Sequence, residues 1–334
     1  MRKILITGGA GFVGCHLSRQ LLDTVSDLEL VLVDNLRRGR IDADFQKILD
    51  DPRVRFFNLD LTDQNSYAQL GGGYEYVYHL VAVNGTKFFY EIPHEVMRVN
   101  TLSFIFMLEW MRKENKDGKL CFTSSNEAYA GGLSVFNKLP IPTPEKVPLV
   151  IDDTYNARWS YASTKLVGEL FMINYARMYG FRGLIVRPHN FYGPRAGYHG
   201  HVIPDFSERI AAKVEPFPIY GADDTRTFCY IGDGVRAMRM LMDSDKTDGQ
   251  PIETVHIGDS LEITMKELAE RMFKVVGWNP KSLDIKNGPV GSVKRRLADT
   301  TKLRNLTGWK PEVSLEEGLR TTYNWYLEHP VPKN

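Results

Sequence analysis

The sequence predicts an α/β chain with a doubly wound parallel sheet and a smaller C-terminal α/β region. Three observations predict it. Short apolar runs alternate with helical patterns through the first half, and most of the runs are continuously hydrophobic, as suits strands covered on both faces. A glycine-rich turn follows the first run and opens the first helix. The 334 residues are 43% hydrophobic and 25% charged, which is ordinary for a globular chain and enough for one large domain or two smaller ones.

The first strand is read at "KILIT" (3–7). Val13, Leu17 and Leu21 then recur every four residues and mark the buried side of the first helix. Further strands are read at "LELVLVD" (28–34), "VRFFNLD" (54–60), "YEYVYHL" (74–80), "KLCFTS" (119–124) and "FRGLIVR" (181–187). Long helices are expected over 94–114 and 161–180, the second closing on Gly180. Alternating β and α segments imply the doubly wound sheet. After about residue 188 the rhythm loosens: "PFPIYG" and "ETVHIG" read as short strands. Thr264-x-x-Glu267 and Ser314-x-x-Glu317 read as capping boxes that open two late helices. The expected division is a dinucleotide-binding domain over 1–188 and a mainly substrate-binding region over 189–334, with some segments returning to the sheet. Pro140, Pro142, Pro144 and Pro148 make 130–152 a loop, placed where a lid over the strand edge could hang.

Composition excludes several classes. Forty-two basic residues against 41 acidic ones give a net charge of +1, so nucleic acid is not expected as a partner, although "NLRRGR" and "SVKRR" could bind a phosphate. Cys15, Cys121 and Cys229 are odd in number and far apart, without a CxxC, which argues against a disulfide framework or zinc and fits a reducing cytoplasm. His199-Gly200-His201 is the only close histidine pair and there is no HExxH, so no metal is expected. The opening "MRKILITGGAGF" is broken by Gly8 and reads as a strand, not a signal peptide. No segment reaches the ~18–20 apolar residues of a membrane span, and no membrane partner is expected.

Gly9-x-Gly11-x-x-Gly14, with Gly8 added, matches the fingerprint of a Rossmann-type dinucleotide site. Its glycines allow a tight turn and close approach of the backbone to a pyrophosphate at a helix N-terminus. Asp34 follows twenty residues after Gly14, at a strand end, where a carboxylate can hold a ribose diol and repel a 2′-phosphate. NAD is therefore the expected cofactor, with Arg37 and Arg38 softening the preference over NADP. Asp60, after the third strand, reads either as an adenine contact or as a turn residue. Tyr161 and Lys165 share a helix face at i, i+4. To take a proton from a hydroxyl, the phenol must fall from pKa ~10 toward ~7, a cost of about 4 kcal/mol. A lysine ammonium ~6 Å away at an effective dielectric of ~20 contributes about 3 kcal/mol, and an oxidised nicotinamide brings a second cation. Tyr161 is thus the expected base for hydride transfer; Lys165 tunes it and holds the nicotinamide ribose, and Ser125 steadies the reacting oxygen.

Together, "TGGAGFVG", "VDNLRRG", "HLVA", "SSNEAY", "SYASTK", "RPHNFYGP" and "TRTFCYIGD" resemble the extended short-chain dehydrogenase/reductase family, in its NAD-dependent epimerase/dehydratase branch, from Met1 to about residue 328. The resemblance implies an enzyme with tightly held NAD that oxidises a UDP-, dTDP-, GDP- or CDP-linked sugar, usually at C4, and then epimerises, dehydrates or decarboxylates the ketosugar. It implies that Phe12, Val13, Asn35, Leu61, Leu80 and Ala82 join the glycines, Asp34 and Asp60 around the cofactor. It also implies that Asn190 touches the substrate diphosphate, Val202 of "VIP" lies along the nucleotide base, Arg226 and Arg296 grip phosphates, and Asn100 braces the catalytic helix through backbone contacts. By the same resemblance, helices 94–114 and 161–180 would pair in a homodimer. The chain departs from the family pattern at Ala130 (usually glycine), Val81 (alanine) and Ala298 (often proline). His189 is less usual before Asn190 and is expected to face the sugar, with no catalytic role assigned.

The stretch "SSNEAY" sharpens the choice of outcome. Plain epimerases of this family resemble "SSSxxVY", dehydratases "TDEVY" with an Asp acid and a Glu base, and UDP-glucuronate decarboxylases and GDP-mannose dehydratases "TSEVY" or "TSELY". Ser125-Asn126-Glu127 keeps the glutamate but puts an amide in the acid's place, and an amide cannot protonate a departing hydroxyl. Glu127 reads either as a base for a carbon-bound proton beside the ketone or as a loop residue that hydrogen-bonds substrate hydroxyls. The leading expectation is a nucleotide-sugar epimerase/dehydratase, with a UDP-glucuronate decarboxylase-like enzyme as the alternative. A catalytically silent dinucleotide-binding regulator is disfavoured by the intact Ser125, Tyr161 and Lys165.

Overall fold

A computed structural model describes residues 1–136, 139–197, 200–246, 252–288 and 293–330. β1 (Arg2–Thr7) pairs in parallel with β2 (Leu28–Asp34) on one side and β4 (Tyr76–His79) on the other. β3 (Val54–Asn58) extends the sheet beyond β2. β5 (Lys119–Thr123), β6 (Arg182–Pro188) and a last strand, Ile252–Ile257, extend it beyond β4, all parallel. The seven strands therefore lie in the order Ile252–Ile257, β6, β5, β4, β1, β2, β3. The chain runs outward from β1 to β3 and then returns to the other side of β1, so the order reverses between β1 and β4. A crevice opens there at the carboxyl ends of the strands.

Neighbouring residues on each strand enter opposite cores, which explains why the runs are apolar throughout. Ile4, Ile6, Leu30, Leu32, Leu184 and Val186 pack with Leu17 and Leu21 of α1 (Phe12–Thr24) and with helix Ile231–Asp243. Leu5, Val31, Val33, Leu120, Phe122 and Ile185 pack on the other face with Phe104 and Met107 of α4 (Pro93–Glu114) and Met172 of α6 (Trp159–Tyr179). The intervening helices α2 (Ala43–Leu49), α3 (Thr86–Glu91) and α5 (Ala130–Phe136) are short. Gly180 closes α6 in the left-handed conformation, φ +77°. A third apolar cluster lies among helices Val202–Ala211, Met265–Val276 and Leu315–Glu328, and joins them to Phe217 and Ile219 of the strand Phe217–Tyr220.

Three local expectations are refined. "ETVHIG" does not stay in the smaller region: it supplies the sheet's outermost strand, paired with β6. Thr264 and Glu267 form the full capping box, while at the second start Ser314 Oγ accepts from Glu317 N at 3.3 Å. Of the stretch 130–152, expected as a loop, Ala130–Phe136 is helical and residues 139–152 are not an open lid. Leu139, Ile141, Val147, Leu149 and Ile151 pack with Tyr129, Leu133, Trp159 and Val293. Thr143 N donates to Leu297 O (2.8 Å) and Asp299 N to Thr143 O (2.9 Å). The apolar residues between the prolines bury themselves, and the backbone is bridged to the segment that carries Arg296.

α6 is tied to the sheet by a buried ion pair. Glu169 receives bonds from Arg187 Nε (2.7 Å) and Nη2 (2.6 Å) on β6, and from Ser124 Oγ (2.6 Å) just past β5. Removing one partner of such a pair leaves an uncompensated buried charge. Glu169→Ala should therefore cost about 3–5 kcal/mol in denaturant unfolding at unchanged m-value. A loss below about 1 kcal/mol, the range of an exposed pair, would show that the tie contributes little.

Candidate active site

The carboxyl end of β5 and the first half of α6 bring the expected Ser125, Tyr161 and Lys165 together. Along α6, Tyr161, Lys165, Gly168, Glu169, Met172 and Ala176 recur at three- and four-residue steps and are buried on one stripe. Gly168 lets this stripe come close, because a Cβ there would lie 2.4 Å from the Phe122 ring. Lys165 Nζ donates to Thr123 O at 2.7 Å and sits 5.4 Å from the Tyr161 ring centroid. Phe89 stacks on Tyr161, with centroids 5.0 Å apart and planes at 14°. Ser125 lies within hydrogen-bonding reach of the phenol, and its Oγ accepts from Glu127 N at 3.1 Å, capping the short turn Asn126–Tyr129.

Electrostatics match the sequence arithmetic only in part. Burial lowers the Lys165 ammonium to about 7, against the raising effect of Glu169. Burial also holds the Tyr161 phenol well above its ordinary value, although the Ser125 hydrogen bond and Arg38 oppose it. The lysine alone therefore does not make the phenol a base, and a further cation is required, as the two-cation argument expects.

The glycine turn fits a dinucleotide. Gly8 adopts φ +75°, and a Cβ at Gly14 would stand 2.3 Å from Gly8 O, so a side chain would close the cradle. Asp34 accepts from Ala10 N (3.1 Å) and Leu36 N (2.8 Å), and burial raises its carboxyl against those bonds. A Cβ at Gly8 would lie 3.0 Å from the Leu80 backbone, which lines the far wall with partly buried Ala82. Phe12 and Val13 pack on the first core, Leu61 is buried, and Asn35 Oδ1 accepts from Arg37 N (3.1 Å). Asp60 makes turn bonds: its Oδ1 accepts from Thr62 N (2.9 Å) and Thr62 Oγ1 (2.8 Å).

On the sugar side, Glu127 is surrounded by arginines. Its Oε1 accepts from Arg296 Nη1 at 2.6 Å and its Oε2 from Arg158 Nη2 at 3.3 Å; Arg296 Nη1 also reaches Asn126 Oδ1 at 3.1 Å. Burial works to raise this carboxyl, but Arg296 and Arg158 outweigh it and hold it below its ordinary value. Arg296, expected on a phosphate, pairs here with the glutamate. Arg226 lies near the same cluster, lowered to about 10 by burial and by Arg296, with Nη1 on Thr225 O (2.7 Å). Among the described residues, Arg158 Nε, Arg296 Nε and Asn126 Nδ2 are buried donors without a partner.

Asn190 has φ +44° and donates from Nδ2 to Thr227 O (2.7 Å); Val202 is the first residue of its helix. Asn100 does brace α6, though through the Thr164 hydroxyl (3.3 Å) as well as the Val83 backbone. His189 is fully buried with its Nε2 3.1 Å from the Tyr129 hydroxyl, so its ring belongs to a Tyr129–His189–His256 cluster. His199 lies outside the described residues, as does Ser292 of "SVKRR". Among the described residues there is no cluster of three metal-ligating side chains, and no helix is long and apolar enough to cross a membrane. Sequence reasoning missed Arg158, although its place one turn before Tyr161 was a usable signal.

Comparison with known proteins fits this geometry. Residues 5–322 match the family model described as GDP-mannose 4,6 dehydratase. The chain is 31% identical to a UDP-N-acetyl-alpha-D-glucosaminuronate decarboxylase of Bacillus cytotoxicus, with 98% of both chains covered. It is 30% identical to UDP-glucuronic acid decarboxylase 5 of Arabidopsis thaliana, over 95% of this chain and 87% of that one. Among solved structures, UDP-glucose 4-epimerase of Thermotoga maritima with UDP-glucose superposes at a TM-score of 0.82, 27% identity, and 98% and 99% coverage. The dTDP-glucose 4,6-dehydratase DesIV of Streptomyces venezuelae, with NAD and TYD bound, gives 0.85 at 26% identity, over 98% and 97%.

Two outcomes are expected in cofactor-free protein. With selectively 13C-labelled lysine, one Cε resonance should titrate near pH 7 and vanish in Lys165→Met; a lysine set titrating only above pH 9 would contradict the burial argument. Because the folded pKa is depressed, the unfolded chain binds the extra proton between about 7 and 10.4, so this group makes stability rise with pH across that window.

Proposed function

We propose a reaction from one premise: this chain belongs to the GDP-mannose 4,6 dehydratase family, in the NAD-dependent epimerase/dehydratase branch of the extended short-chain dehydrogenases/reductases. It is an NAD-dependent enzyme that modifies a nucleotide-linked sugar. Our reading is that it oxidises the sugar at C4 and that the sugar is a uronic acid, which then loses its carboxylate. The observation that carries this reading is the side-chain cluster around Glu127, where Arg158 and Arg296 face a single carboxylate and keep unpartnered buried donors. A second anion satisfies those donors, and a guanidinium fits a carboxylate well.

NAD would lie on the Gly8–Gly14 turn with its ribose on Asp34, between Leu80 and Ala82, and with its nicotinamide end toward Lys165. When bound, it supplies the hydride acceptor for the C4 hydrogen and the second cation that Tyr161 needs. Tyr161 takes the C4 hydroxyl proton, and Ser125 donates to the same oxygen. In a uronic acid the C4 ketone is β to the C6 carboxylate. The C5–C6 bond then breaks, CO₂ leaves, and the bonding electrons move onto the C4 oxygen, where the Tyr161 and Ser125 hydroxyls stabilise them. A solvent-derived proton is added at C5, and C4 then takes its hydride back while Tyr161 returns the proton to the C4 oxygen, so the oxidised cofactor would be restored.

The same cluster argues against 4,6-dehydration. Asn126 has no proton to give, and Glu127 is held ionised by its arginines, so neither neighbour protonates a departing hydroxyl. We infer a homodimer through α4 and α6, where Met97, Val167, Leu170, Met178 and Tyr179 are exposed apolar residues. A reducing cytoplasmic setting fits the three buried, unpaired cysteines.

Three measurements check these points. Nucleotide sugars with neutral and uronic-acid sugars, incubated in deuterated water, should show mass loss of CO₂ and deuterium at C5 for the uronic acids alone; inversion of a neutral sugar at C4 without CO₂ would establish an epimerase instead. Tyr161→Phe should cut turnover about 10²–10⁴-fold while NAD stays bound, and full activity would remove the phenol from its role. Light scattering should give the mass of two chains; a monomer would leave the α4–α6 face to another use.

A further inference from the structure

Two consecutive arginines leave β2, and they go different ways. Arg37 is neutralised by Glu95 at 2.8 Å. Arg38 has no carboxylate partner among the described residues. Its Nη1 donates to Asn84 O, and its guanidinium carbon lies 4.7 Å from the Phe88 ring centroid. The residue is exposed, yet desolvation by the protein around it lowers its pKa. It is also a positive neighbour of both Tyr161 and His201.

Topology gives this arm its meaning. β2 and β4 flank β1 on opposite sides, and the glycine turn leaves β1 between them. Arg38 starts four residues beyond Asp34, on the β2 side; Asn84 lies beyond Leu80, on the β4 side. The next residue, Gly39, packs so tightly on the Asp34 carboxylate that a Cβ there would lie 2.9 Å from its oxygens. The Arg38–Asn84 bond therefore bridges the crevice above the phosphate-binding turn, from the ribose carboxylate to the segment that stacks on Tyr161. The short helix α3 couples the two ends: Phe88 carries the guanidinium and Phe89 stacks on the phenol.

We propose that Arg38 is a cofactor-binding arm that closes over the pyrophosphate of the bound dinucleotide and retains it through turnover. This rests on the NAD reading above and adds to it a residue and a role. A pyrophosphate brings two negative charges, whereas the turn offers backbone N–H groups and the partial charge of a helix N-terminus, and Arg195, whose Nη2 reaches Ala10 O, is already paired with Asp42. A planar guanidinium, oriented by the Phe88 ring and the Asn84 carbonyl, supplies the full cation and a fork of donors that match phosphate oxygens. Its commitment to the 84–88 segment turns it away from the position a 2′-phosphate would take beside Asp34, so the arm serves NAD.

The test reads retention of the cofactor, not activity. NADH-loaded protein is mixed with excess NAD and the loss of bound-NADH fluorescence is followed, for wild type, Arg38→Ala, Arg38→Lys and Phe88→Leu. Arg38→Ala should release NADH about 10–100-fold faster and retain less dinucleotide after gel filtration. Arg38→Lys, which keeps the charge without the fork, and Phe88→Leu, which removes the platform, should fall between. Should Arg38→Ala fail to fold, as judged by circular dichroism, Arg38→Lys decides alone: release within twofold of wild type overturns the arm. So does Arg38→Ala with unchanged NADH release but lost NADP binding, because the arginine would then read a 2′-phosphate. Wild type that binds no dinucleotide overturns the NAD reading and the arm together, whereas wild type that binds tightly with an indifferent Arg38 overturns the arm alone.

Discussion

The site depends on the seam between the end of β5 and the buried stripe of α6. Three consecutive residues leaving the strand each meet a residue of that stripe: Thr123 O takes the Lys165 ammonium, Ser124 Oγ donates to Glu169, and Ser125 faces Tyr161. A strand end is rigid and a helix face is rigid, so three such contacts fix the phenol and the lysine relative to the sheet to within side-chain freedom. Because the glycine turn and Asp34 are carried on the same sheet two and three strands away, the seam also sets the distance between the reacting oxygen and the cofactor crevice. Buried polar contacts of this kind are demanding: each must be satisfied, and Arg187 completes the set by neutralising Glu169 from β6.

Burial gives the seam its chemistry and also withholds it. The same desolvation that lowers Lys165 to about 7 raises Tyr161, so each group is pushed toward its neutral form. A neutral phenol and a half-charged amine make a poor base pair for a sugar hydroxyl. Only an added positive charge reverses the balance, and it arrives with the oxidised cofactor. Without that charge the phenol stays in its neutral form.

What was legible in the sequence follows from range. Strands covered on both faces are continuously apolar, so all six first-half strands could be read, with ends shifted by up to two residues where the pattern fades into polar turns. Gly8–Gly14 with Asp34, and Tyr161 with Lys165, are local spacings and were equally readable. The pairing of Arg296 with Glu127, 169 residues apart, was not, because any buried arginine near a diphosphate site reads as a phosphate ligand. The return of Ile252–Ile257 to the sheet, the bridge from Thr143 to Leu297 and Asp299, and the burial of His189 against Tyr129 are equally long-range. In the 130–152 stretch the prolines spoke for a loop, and the alternating Leu and Ile residues that bury it were outweighed in the reading.

The Glu127 carboxylate is set between burial and two arginines. A base for a carbon-bound proton works best with a pKa near the working pH, and burial alone would have moved Glu127 that way. Arg296 and Arg158 move it the other way. The chain has therefore given up basicity at this position in exchange for a fixed negative charge with cations on two sides. Such a charge suits orienting hydroxyls and aligning the two guanidinium groups, which in turn can accept an anion from the ligand. In decarboxylation the electrons come from a breaking C–C bond and no carbon-bound proton has to be removed, so a strong base is unnecessary. A carboxylate locked in its ionised form and flanked by arginines is consistent with that chemistry and poorly suited to abstraction of a carbon-bound proton.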